Sequence, residues 1–174
     1  LGVIQISSGK LIVADPSSEI SRLNVLKAEF PIGKYPVYYF RKKNAGVLFI
    51  FETNKIPVIW KTAIFETNTK ESLDKFWVGS GSLCIMDFDA LKYVIDNESL
   101  GIYPNGFWNE EVYARFEMNQ RAWGFDIAVA NSMNNIVVSL TEWGDSMYKS
   151  YLGYDKSGKI LCLYIDLGPA KLLL

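Results

Sequence analysis

The sequence predicts a mainly β domain, either a two-layer sandwich or a strongly curved antiparallel sheet with one or two covering helices, with α+β as the alternative class. Three observations carry this. Short runs rich in Val, Ile, Leu, Phe and Tyr recur between Gly, Ser, Asn and Asp turns, a composition suited to pleated, half-buried strands. The closing run, residues 158–166, is apolar on both alternating sets, Ile160/Cys162/Tyr164 and Leu161/Leu163/Ile165, so it belongs in the middle of a sheet covered on both faces. Helical spacing is confined to residues 87–123.

In chain order, residues 3–6 and 10–15 flank Ser7-Ser8-Gly9 and read as a hairpin closed on a glycine. Pro16 turns Asp15 away from helix, and the Ser/Glu-rich piece up to Leu26 suits a short helical turn before Phe30-Pro31-Ile32-Gly33. Residues 34–42 and 45–53 read as strands joined through Lys42-Lys43-Asn44. Residues 56–65 read as another, with Pro57 marking an edge or an opening because proline cannot donate to a ladder. A polar loop over 67–74 leads to 76–87, a strand, a Gly79-Ser80-Gly81 bend and a second strand, or one strand bulged at the glycines.

Phe88, Leu91, Val94 and Ile95 then fall at helical spacing behind Asp87, which serves as the N-cap. After a Gly/Pro loop over 99–108, residues 109–123 read as an amphipathic helix carrying Val112, Phe116 and Trp123, with Asn109 in the cap position. Residues 125–130 form a strand that leads into 134–168, the stretch around which the chain is organised. It holds the strand 136–140, a Trp143-Gly144-Asp145 corner, an aromatic strand, an Asp155-Lys156-Ser157-Gly158 turn and the final strand. Ser8-Gly9-Lys10 and Ser157-Gly158-Lys159 each open a strand that ends in Asp, at Asp15 and Asp166, which reads as two hairpins sharing one turn chemistry.

Residues 1–174 make one domain by length, and 49% hydrophobic with 14% aromatic residues is ample for a packed core. A formal charge of −1, without a basic stripe, argues against nucleic acid as a partner. No apolar run is long enough to span a bilayer and no charged-then-apolar leader stands at the start, so the chain reads as soluble and no membrane is expected as a partner. Cys84 and Cys162 sit inside apolar runs and read as buried thiols of a reducing compartment, hence a cytoplasmic protein. The chain has no His, which removes Ser-His-Asp and Cys-His nucleophile pairs and most imidazole zinc sites; no cofactor motif is present.

Two sets of residues carry the remaining chemistry. Asp15, Asp87, Asp145 and Asp166 each end or border a strand; converging on one rim they would bind a divalent cation or act as acid and base, while alone each merely bonds turn amides. The second set is aromatic. Tyr103, Phe107, Trp108 and Tyr113 stand in and beside a Gly/Pro loop with Glu110 and Glu111, and Glu142, Trp143 and Asp145 form a second group, so these residues are the expected partner-binding surface if they are exposed and core-capping groups if they are not. Gly79-Ser80-Gly81-Ser82 would suit a phosphate, but no lysine follows in the P-loop position.

Taken together, SGKLIVADP at 8–16, FPIGKYPV at 30–37, PVIWKTAIF at 57–65, VGSGSLCIMD at 78–87, and GDSMY with LGYDKSGKILCLYIDLG within 144–168 resemble the bacterial family known as domain of unknown function 4241. The resemblance implies a mostly β domain of bacterial origin and, from the company such families keep, a setting near toxin systems. One departure is Ser146, where the resemblance leads to an expectation of glycine. The expected function is non-enzymatic: a protein-binding domain of the immunity or regulatory kind that neutralises a partner such as a bacterial toxin. A cation-dependent hydrolase on the strand-end carboxylates and a structural phage or secretion component are the alternatives.

Overall fold

The computed structural model describes residues 1–17, 23–42, 45–51, 55–118, 123–130, 132–141 and 143–168. Its strands are β1 (Gly2–Ile6), β2 (Leu11–Ala14), β3 (Asn24–Leu26), β4 (Gly33–Lys42), β5 (Ala45–Phe51), β6 (Ile59–Thr62), β7 (Phe65–Glu66), β8 (Ser72–Leu73), β9 (Lys75–Val78), β10 (Ser82–Asp87), β11 (Gly124–Ala128), β12 (Asn135–Leu140), β13 (Ser146–Tyr154) and β14 (Ile160–Asp166). They build two antiparallel sheets. The first runs β1-β4-β5-β14-β13-β6, with β9 also paired to β13; the second runs β11-β12-β10-β2-β3-β7-β8. Helix α1 (Phe88–Ser99), a π-helical turn (Trp108–Tyr113) and α2 (Ala114–Met118) cover the far face of the second sheet. No helix among the described residues is long and apolar enough to cross a membrane.

Period-two alternation produces the layers. One set of strand residues, including Ile4, Val13, Ile85, Val137, Leu163 and Ile165, fills the space between the sheets. The other set on the second sheet, Ile12, Cys84, Met86, Ile136 and Val138, packs under Leu91 and Val94 of α1 and under Val112. The final strand lies between β5 and β13, and Leu161 to Ile165 are all fully buried, as its two apolar faces require. Its outward residues Cys162 and Tyr164 are covered locally: Trp60 and Tyr151 pack against the Tyr164 ring at 6.3 and 5.7 Å, and Pro57 closes over Gly153 beside Cys162.

Several local expectations are corrected. Residues 3–6 and 10–15 do not form a hairpin, because β1 pairs with β4 while β2 pairs with β10 and β3. Ser7–Lys10 is instead a crossover between sheets, and only the second of the two echoing turns, with Gly158 at φ +85°, closes a hairpin, β13–β14. The run 56–65 divides: β6 is an edge strand of the first sheet, as Pro57 suggested, and Phe65 already belongs to the second. Asn24–Leu26 is a strand, not a helical turn, and residues 18–22 lie outside the described residues. Asn109 is inside the π-helical turn and bonds back to Asn105 O, so it is not a cap. Asp87 does cap α1, accepting from Asp89 N at 2.9 Å.

The free edge of β1 is closed by a side chain that imitates a strand. Gln5 N–H donates to Asn135 Oδ1 at 2.9 Å, and Asn135 Nδ2 donates to Val3 O and to Asp126 Oδ1, both at 2.7 Å. An amide is the one side-chain group that offers donor and acceptor in the geometry of a peptide. Asn135→Leu keeps the branched shape in a somewhat larger side chain and orphans both edge groups. A loss of about 2 kcal/mol in urea unfolding is expected; a change within the error of extrapolation would show that water satisfies the edge equally well.

Candidate functional site

The two most buried acids of the strand-end set are structural clamps. Asp87 is fully buried, and the N–H and Oγ–H groups of Ser7 and Ser8 converge on it at 2.9–3.1 Å together with Asp89 N–H. It thereby holds the crossover that feeds β2. Asp15, at the end of β2, receives Ser17 N–H and Oγ–H, Gly79 N–H, and Ser80 N–H and Oγ–H at 2.6–2.8 Å. It holds the crossover that feeds β10. The Gly-Ser-Gly turn is an anion cradle after all, and the anion is the protein's own carboxylate.

These acids do not converge. Asp87 pairs across from Leu11, so the two clamps sit at opposite ends of the β2–β10 pair, about 13 Å apart at 3.3 Å per residue. Asp166 lies on β14 across from Lys149, where burial pushes its carboxyl up from the ordinary range; Asp145 is exposed in the corner before β13. Among the described residues no three acids or thiols gather where one ion would touch them. The thiols are equally withdrawn. Burial, and next the charge of Asp15, hold Cys84 far above the usual thiol range, and burial pushes Cys162 up to about 11.

The Asp15 end of the sandwich gathers the features that are open to a ligand. Trp77 and Met147 are directly opposed across β9 and β13, on the face turned away from the core, and are 52% and 48% exposed. A Cβ at Gly79 would stand 2.9 Å from Trp77 Nε1, so only glycine lets the indole lie along the turn. The neighbouring corner carries Trp143, 55% exposed. It is pinned by Thr141 N–H to Gly81 O (2.9 Å), by Thr141 Oγ1–H to Gly144 O (3.0 Å) and by Tyr148 Oη–H to the same carbonyl (2.7 Å). Gly144 takes φ +62° there, whereas Ser146 merely begins β13 opposite Val78, so the serine costs the corner nothing.

Behind Asp15 lies a cavity of about 280 Å³ between the second sheet, α1, residues 105–107 and the start of the π-helical turn. Its apolar floor includes Cys84, Met86, Leu91 and Val94, and Asp15, Glu98 and Trp108 stand around it. Glu98 Oε1 accepts from Phe107 N–H at 2.9 Å, and Glu110 Oε1 from Asn105 N–H at 2.8 Å, which fixes the loop as a wall.

The expected partner-binding residues are scattered by this geometry. Tyr103 and Phe107 are only 8% and 6% exposed and meet edge to face at 5.5 Å inside the helix–sheet core, so they cap that core and are not the exposed loop aromatics of a binding surface. They turn inward because the second sheet offers an apolar face that α1 alone does not cover. Trp108 is half-buried, Glu110 is spent on Asn105, and Glu111 pairs with Arg115 at 2.8 Å. Tyr113 is exposed on the helical layer, where the nearby Glu117 carboxylate raises its hydroxyl above the ordinary range. Trp143 and Asp145 are exposed as expected, and Glu142 lies outside the described residues. Sequence reading missed Trp77 and Met147 as a pair. Phe76-Trp77-Val78 is apolar throughout, so alternation predicts that one residue faces out without naming the face.

The model of a family described as "Protein of unknown function (DUF4241)" matches residues 4–165. No curated protein and no solved structure matches the chain.

Proposed function

We propose that this chain, which belongs to the DUF4241 family, is a non-enzymatic protein-binding domain whose contact surface is the rim bearing Trp77, Met147 and Trp143. The observation that carries this reading is the Trp77–Met147 pair: two large apolar side chains held side by side on paired strands and half-exposed, on the face opposite the buried Phe76, Val78 and Tyr148. Exposed tryptophan on a rigid scaffold is the type of group that dominates interface energies, since it desolvates a large area at little entropic cost. Lys75 and Lys149 stand opposite each other beside the pair, and Asp145 lies at its corner, which supplies the polar surround of such an interface. Of the roles open to a small bacterial binding domain, an immunity-type or regulatory partner that occludes another protein fits a surface without reactive groups. The clamped Asp15 and Asp87 take support from the hydrolase alternative.

The test is retention of a partner from source cells on the purified chain, followed by titration of that partner against the double variant Trp77→Ala, Met147→Ala and, as a surface control, Tyr113→Ala. The double variant is expected to weaken binding roughly thirtyfold, about 2 kcal/mol, with its unfolding midpoint unchanged and the control silent. Equal loss in the control, or no loss in the double variant, would move the surface elsewhere or remove it.

A further inference from the structure

The two borders of the first sheet are finished differently. At β1 the Asn135 amide takes the place of a further strand, whereas among the described residues no strand pairs with the far side of β6 or β9. β6 lies against Tyr154 to Tyr151 and β9 against Lys149 to Ser146, with Ala63 opposite Ser150 between them. The two strands therefore run end to end along the nine residues of β13 and make one composite border, about 30 Å long at 3.3 Å per residue. Ala63 N–H donates to Ser150 O at 2.9 Å, which sets the phase of the ladder. Residues opposite even-numbered positions of β13 turn their peptide groups toward it, and those opposite odd-numbered positions turn theirs away. Trp60, Thr62, Lys75 and Trp77, opposite Gly153, Tyr151, Lys149 and Met147, thus present N–H and C=O outward in a row. Neither strand contains a proline or a bulge of the kind that blunts an edge, and Ile56, Val58 and Ile59 at the start of the border are exposed.

From this geometry we infer that the β6–β9 border is a site of strand addition: an extended segment of a partner polypeptide lies along it, exchanges main-chain hydrogen bonds with Trp60, Thr62, Lys75 and Trp77, and sets alternate side chains on the outer face beside Trp60 and Trp77. The added strand rests on the binding role proposed above and gives the partner of that role its form. Charge selects the sequence of the segment. Lys75 and Lys149 are directly opposed across β9 and β13, where like charges repel; Lys149 has Asp166 across β14 on its other side, while Lys75 borders the edge itself. A carboxylate on the added strand beside Lys75 relieves that repulsion, so the segment carries Asp or Glu there and apolar or β-branched residues beside Trp60 and Trp77. A second copy of the chain fits less well. Antiparallel pairing of two such borders about Ala63 would set Thr62 across from Lys75 and gather Lys75 and Lys149 of both copies around the axis.

The probe is a displayed library of random decapeptides, selected on the immobilised full chain and on its Thr62→Pro variant. Proline at this position removes one outward N–H and leaves the ladder to β13 whole, so the unfolding midpoint is expected to stay unchanged. Selected peptides are expected to alternate β-branched and polar residues around one Asp or Glu, to bind the parent with a Kd of roughly 10–100 µM, and to bind Thr62→Pro at least tenfold more weakly. N-methylation of alternate residues in the best peptide leaves the protein untouched; it is expected to abolish binding in one register and to be silent in the other. Enrichment of no peptide, equal binding to Thr62→Pro, or indifference to N-methylation in both registers would overturn strand addition. Binding that survives Thr62→Pro but is lost in the double variant Trp77→Ala, Met147→Ala overturns the added strand and keeps the rim as the contact surface. Binding lost in Thr62→Pro but kept in the double variant upholds the strand and removes the rim. Sedimentation of the chain alone as a dimer that Thr62→Pro dissolves would give the border to a second copy and overturn the assignment of a partner segment.

Discussion

Asp87→Ala is expected to lose about 4 kcal/mol of stability, a large part of what a domain of this size possesses. The carboxylate is fully buried, and removing it strands Ser7 and Ser8 N–H together with Asp89 N–H at the start of α1. Each stranded donor is half-buried or nearer the surface and forfeits roughly 1 kcal/mol, the lost cap being one of them, and the two Oγ–H bonds to the buried carboxylate are lost as well. The contributions overlap, so their sum is an upper bound. Asp87→Asn is the informative companion: it keeps the shape and one acceptor but turns an NH₂ group toward a ring of donors, and should fall between the parent and Ala. Urea unfolding followed by both far-UV signal and tryptophan fluorescence measures this. A shift below about 1 kcal/mol for Asp87→Ala would mean that water replaces the carboxylate and that the crossover is not clamped.

The second large effect concerns Gly153. It sits in β13 opposite Cys162 and Trp60, and a Cβ there would lie 2.7 Å from Cys162 Sγ and 2.7 Å from Pro57 Cγ. Neither neighbour can swing away freely, since the proline ring is rigid and Cys162 is fully buried. Gly153→Val is therefore expected to cost about 3 kcal/mol, through overpacking of the cover over Cys162 and Tyr164. Combining it with Cys162→Ala removes the sulfur from the overlap and should recover about 1 kcal/mol in a double-mutant cycle. Strict additivity in that cycle would place the strain entirely on Pro57.

What was legible from the sequence followed from local chemistry. The central final strand, the β13–β14 hairpin at Gly158, the edge position signalled by Pro57 and the Asp87 cap all depend on residues close together in the chain. Which sheet each strand joins was not legible, because Ser-Gly-Lys serves a crossover at Gly9 as readily as a hairpin at Gly158. In the native fold Ser7 and Ser8 are held by the carboxylate of Asp87, about eighty positions away, a partner that local spacing does not reveal. The site suffered similarly. Trp143 was identifiable from its glycine corner, whereas the outward Trp77 and the inward Tyr103 and Phe107 depend on which neighbouring layer offers an uncovered apolar face, a tertiary property that composition does not encode.

The reciprocal arrangement of the two clamps bears on the order in which the protein assembles. Asp87 at the end of β10 secures the entry to β2, and Asp15 after β2 secures the entry to β10; the contacts join residues 79–80 and 64–65 positions apart. Neither can form until both strands are already side by side, so each closes a long loop whose entropy must be spent beforehand. Contacts of such long sequence separation are expected to form late on the folding route, after the transition state, which unfolding and refolding rates of Asp15→Asn and Asp87→Asn would check. Interactions of that kind leave the rate of folding nearly untouched and act on the rate of escape. The two aspartates thus work as latches, setting how long the native state lasts more than how quickly it is reached.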